Sequence, residues 1–70
     1  MNLLAEVKDA TGWPDVDIAD MVGLTRITVN RASHGANVRM RDMKTEHLRD
    51  ALVELRDKLQ TLIDYIDLTS

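Results

Sequence analysis

The sequence predicts an all-α fold of about four helices, the last of them long. Three observations carry this. Apolar residues recur three and four apart along most of the chain, glycines at 12, 23 and 35 stand where those runs stop, and no segment alternates as a strand does. The 70 residues suffice for one domain, near the lower size limit for a self-sufficient core.

A first helix is expected from Asn2, a good N-cap, to Thr11, with Leu3, Leu4, Val7 and Ala10 at helical spacing. Gly12 stops it, and Trp13 is placed to fold back over the last turn. Pro14 and Asp15 suit the opening of a second helix, proline for its missing donor and aspartate as a cap, with Ile18, Ala19 and Val22 as the buried stripe. Gly23 then turns the chain. Thr25 supplies a capping hydroxyl for a third helix over about Arg26–Ser33, and Gly35 to about Asp42 reads as a loop.

From about Met43 the pattern changes. Leu48, Leu52, Leu55, Leu59, Leu62 and Ile66 follow one another at alternating intervals of four and three, with no Gly or Pro between them. A helix from Met43 to Leu68 would be about 39 Å long at 1.5 Å per residue. Either it folds back as two helices, or its far half meets a partner. Residues 1–44 and 45–70 thus form two functional regions of one structural domain.

The chain has no cysteine, which removes disulfides and thiolate metal sites and is compatible with a reducing cytoplasm. No secretion signal or membrane span is legible, so a cytoplasmic location is expected. His34 and His47 lack companions at ligand spacing, and no nucleophile elbow or phosphate-cradling glycine loop occurs. Neither a metal, a cofactor, a small-molecule substrate nor an enzymatic activity is expected.

The net charge of −3 is unevenly spread. Residues 1–23 set Lys8 against five acids, and residues 45–70 set three bases against six acids. Between them, Arg26, Arg31, Arg39, Arg41 and Lys44 face only Asp42. A basic middle on an acidic chain is an electrostatic footprint for phosphate, although single charges also serve simply as solvated surface.

Within this middle lies the segment DIADMVGLTRITVNRASHG, Asp17 to Gly35. Ala19, Gly23, Val29 and Gly35 supply a small contact, a turn, a core residue and a stop, as two helices packed corner to corner require. On a helical wheel Arg26, Ile27, Asn30, Arg31 and His34 share an arc of about 140°, with Val29 and Ala32 opposite. This layout suits a recognition helix in the major groove. Arg26 and Arg31 can each grip a guanine, Asn30 can pair with an adenine, and Ile27 can meet a thymine methyl or else turn into the core.

The segment resembles the helix-turn-helix of the phage repressor and Cro-like (Xre-like) family, over about Trp13–Gly35, a third of the chain. The resemblance implies a compact helix-turn-helix domain, with base contacts from the positions of Thr25, Arg26, Ile27 and Arg31. Two positions differ from the common form: Asp15 stands where a phosphate-binding Gln is frequent, and Ala32 where a bulky aliphatic anchors the helix. Trp13 or a leucine of the last helix is expected to fill the space beside Ala32. Phosphate contacts are expected from His34, which can also cap the helix, and from Asn37, Arg39, Arg41 and Lys44.

The first half of the leucine seam is expected to pack on this unit. Leu55, Leu59, Leu62, Ile63 and Ile66 would then mediate a homodimer whose two-fold symmetry matches an inverted-repeat operator in double-stranded DNA. The few flanking charges leave the relative direction of the two helices open. The expected function is a DNA-binding transcriptional regulator, a phage or mobile-element repressor that can be autoregulatory. The rival is a helical protein-interaction module, of the antirepressor or antitoxin-like kind.

Overall fold

A computed structural model describes residues 2–70, and its secondary structure is entirely helical among them. α1 spans Leu3–Thr11, α2 Asp15–Val22, α3 Arg26–Ser33 and α4 Glu46–Thr69. A single 3-10 turn, Met40–Asp42, interrupts what the sequence reads as a plain loop. Its closing hydrogen bonds return from Asp42 and Met43 to Arg39 and Met40.

Asn2 caps α1 as expected: its Oδ1 accepts from the Ala5 amide at 3.2 Å. The other half of the same amide reaches across the fold, its Nδ2 donating to the carbonyl of Ala32 near the end of α3. One side chain therefore satisfies an orphan donor of one helix and a carbonyl of another. Gly23 ends α2 with φ 71°, a left-handed conformation that glycine adopts without a steric penalty. The Leu24 amide then bonds back to Ala19 O.

The end of α3 is a Schellman closure. Ala36 N donates to Arg31 O and Gly35 N to Ala32 O, both at 3.0 Å, around Gly35 at φ 111°. Thr25 caps the other end, accepting from Thr28 N at 3.2 Å.

The core consists of Leu4, Val7, Ile18, Ala19, Val22, Val29, Ala32, Met43 and Leu48. Ala19 and Val29 thus occupy the small-contact and core positions that the sequence assigns them. α2 packs against α3 and against α4, and α1 against α3. Met43 is buried ahead of α4, and the neighbouring Lys44 amide bonds to Val22 O at 2.9 Å, tying the entry of α4 to the end of α2. The space beside Ala32 is lined by Leu4, Val38 and Met43, with a small cavity of about 70 Å³ left open. Neither Trp13 nor a leucine of α4, the two residues expected there, lines it. Trp13 instead lines a groove with Met21, Ala51 and Leu55, on the side facing α4.

α4 is one continuous helix of 24 residues, so the folded-back alternative is excluded. It begins at Glu46 rather than Met43, because Met43 and Lys44 are drawn to the core and to α2. Leu48 is 2% exposed and Leu52 packs against the core, while every residue from Arg56 onward is exposed. The molecule measures 45 × 21 × 20 Å, a small body with a projecting rod.

Leu48→Ala removes the one fully buried side chain of α4. It should cost about 2–5 kcal/mol of unfolding free energy. Urea denaturation of the variant beside the parent chain checks this, and a loss below 1 kcal/mol would contradict the packing described.

Candidate nucleic-acid interface

α3 shows the two faces that its sequence predicts. Val29 and Ala32 are buried, whereas Arg26, Ile27, Asn30, Arg31 and His34 are exposed. Ile27, which the sequence leaves free to be core or surface, is 59% exposed. An isoleucine held outward between two arginines presents apolar surface beside bidentate donors, the chemistry that reads a thymine methyl next to guanine.

Two of the expected base-contacting residues carry internal duties. The Thr25 hydroxyl holds the Thr28 amide and lies 2.8 Å from the Thr28 hydroxyl. Asn30 donates from Nδ2 to Asp15 Oδ2 at 3.0 Å. A carboxamide nitrogen has two hydrogens, so this bond orients the group while its second N–H and its carbonyl oxygen stay available. His34 donates from Nδ1 to the carbonyl of Asn30 at 2.7 Å, since a carbonyl can only accept. It is thus a helix-end cap, and Nε2 is its remaining ring nitrogen for a ligand.

Asp15 differs from expectation. It is the first residue of α2, with Pro14 in the N-cap position, and makes no capping bond. Its carboxylate is drawn sideways instead: Oδ2 takes Asn30, and Oδ1 meets Lys8 Nζ at 2.9 Å. The Lys8 ammonium first, then the Asn30 amide, hold the Asp15 carboxyl below its ordinary value of 3.8, against a smaller opposing effect of desolvation. Lys8 thereby offsets the charge of the acid at the opening of α2.

Lys8 is the residue that sequence reasoning missed. It lies in an acidic block, seven positions from its partner, and the turn through Gly12 that sets α2 against α1 brings the two side chains together. With Ser33 and His34 it lines a shallow polar depression next to α3.

The remaining expected phosphate ligands, Asn37, Arg39, Arg41 and Lys44, are all exposed on the connection between α3 and α4. Arg41 sits in the 3-10 turn, and the Lys44 side chain lies over Gly23. Among the described residues no group of three His, Cys, Asp or Glu could hold a metal ion, and no helix is long and apolar enough to cross a membrane.

A depressed carboxyl contributes stability that is complete above its unfolded value and is lost as pH falls through the folded one. NMR titration should therefore place the Asp15 midpoint below 3.8, and Lys8→Met should raise it. A midpoint at or above 3.8 would mean that the Lys8–Asp15–Asn30 cluster does not form in solution. No family model, curated protein or solved structure matches this chain.

Proposed function

We propose that the protein is a sequence-specific double-stranded DNA-binding transcriptional regulator that inserts α3 into the major groove. The observation that carries this reading is the two-sidedness of α3. Arg26, Ile27 and Arg31 face outward on a helix whose opposite face, Val29 and Ala32, is anchored in the core. A short helix so anchored presents donors and an apolar contact at fixed positions, as base reading requires. Arg39, Arg41 and Lys44 follow it as phosphate clamps, and phosphate contacts set register rather than sequence.

The regulator acts as a homodimer on an inverted repeat, the two copies meeting through the exposed apolar residues of α4. Binding at a promoter would occlude it, and an inverted repeat just upstream of the protein's own gene would support autoregulation. The same exposed α4 surface also supports the rival, a protein-interaction module that binds a different chain. An absence of DNA binding at low and high salt alike would favour that rival.

Selection from a random duplex pool should yield a palindromic site. On that site Arg31→Ala should lose about 1–3 kcal/mol and relax the preference at one base pair per half-site. Arg39→Ala should weaken all duplexes alike and lower the salt slope by about one unit. Equal losses from Arg31→Ala on the selected site and on random duplex would rule out base reading by this residue.

A further inference from the structure

Wound at about 100° per residue, Leu48, Leu55, Leu59, Leu62 and Ile66 fall within about 60° of one another, one continuous stripe along α4. Its near end is covered by the chain's own body, with Leu48 buried and Leu55 half-buried beside Trp13 and Met21. Its far end is bare: Leu59 is 50%, Leu62 59% and Ile66 60% exposed. Whatever covers the far end must approach from the side that the body already occupies.

This constrains a second copy. Helices in contact lie about 8–10 Å apart. Parallel pairing along the stripe would bring both bodies to the same end and into the same gap, and the molecule is about 20 Å across. Two straight parallel helices meet both distances only by splaying apart, which confines their contact to the far tips and leaves Leu55 and Leu59 uncovered. Antiparallel pairing puts the bodies at opposite ends and lets each far half run past the other body.

We infer that two copies pair antiparallel through the far halves of α4, with the last turns of each helix seated beside the partner's apolar groove of Leu3, Leu52, Val53 and Arg56. The inference rests on the homodimer proposed above and adds its direction and its seat. In the register that stacks Leu59 on the partner's Leu62, Ile66 comes beside the partner's Leu55. The groove, about 310 Å³, opens on one flank of the stripe, and Arg49 and Arg56 line it. Antiparallel two-fold symmetry brings like flanks together, and Asp67 lies on this flank. The acidic last turns, which contain no basic residue, therefore meet the partner's Arg56.

Because the chain has no cysteine, introduced thiols report the direction without ambiguity. Sedimentation should show a species of twice 7.9 kDa. On oxidation, a mixture of Leu55→Cys and Ile66→Cys chains should form the mixed disulfide, while Ile66→Cys alone should not. The two Ile66 positions would lie about 16 Å apart along the pair, beyond the reach of a disulfide. Spin labels on Thr69→Cys, a site remote from the core, should be separated by about 26 Å along the axis. A disulfide in Ile66→Cys alone, or Thr69 labels in close contact, would overturn the direction and leave the homodimer standing. A dimer that gives neither disulfide also overturns it, and a 7.9 kDa species alone removes both readings.

Discussion

The burial of Val29 between α1 and α2 is the contact on which the rest depends. Val29, with Ile18 and Val22, is fully excluded from solvent. It fixes α3 in rotation as well as position: turning the helix to expose Val29 would drive Arg26 or Arg31 toward the core. A charge without a buried partner costs several kcal/mol there. One rotational setting satisfies both faces. The Asn2 amide strengthens it from the far end by holding the Ala32 carbonyl, and the Thr25 hydroxyl does so from the near end. The outward arginines gain their definition from apolar packing on the opposite side.

A second consequence of close packing is the corner at Asp15. The acid would be unfavourable beside a polyanion if it stood alone. Lys8 and Asn30 make it the centre of a polar cluster that spans three helices, with α1 supplying the cation, α2 the carboxylate and α3 the amide. The corner is thereby nearly neutral, and the Asn30 side chain is turned by a partner fifteen residues away.

Local chemistry was legible in the sequence, and long-range pairing was not. The three glycines mark turns because left-handed backbone is cheap for glycine alone, so Gly23 and Gly35 could be assigned from identity and spacing. Asn2 and Thr25 as caps, and the two faces of α3, follow from rules that act within four residues. The Lys8–Asp15 pair has no such signature within four residues, since it forms across the turn that sets α2 against α1. The space beside Ala32 is lined neither by Trp13 nor by a leucine of α4, the two fillers the sequence suggests, for a related reason. Several apolar residues have suitable volume, and the 3-10 turn decides the competition by carrying Val38 and Met43 inward. The leucine pattern of α4 suits both one long helix and two short ones, so the pattern alone does not decide its continuity. No Gly or Pro breaks it, and its entry is pinned at Lys44.

The far half of α4 has a consequence for timing. About fourteen residues extend beyond the body, held in the single chain by their own backbone bonds and a few surface pairs such as Gln60 with Asp64. Helices of that length are marginal in water without a surface to pack on. In the proposed dimer, ordering of these turns and association become one event, so the helical content of the chain rises with its own concentration. A chain that pairs in this way would register its own abundance in how much of its last helix is formed.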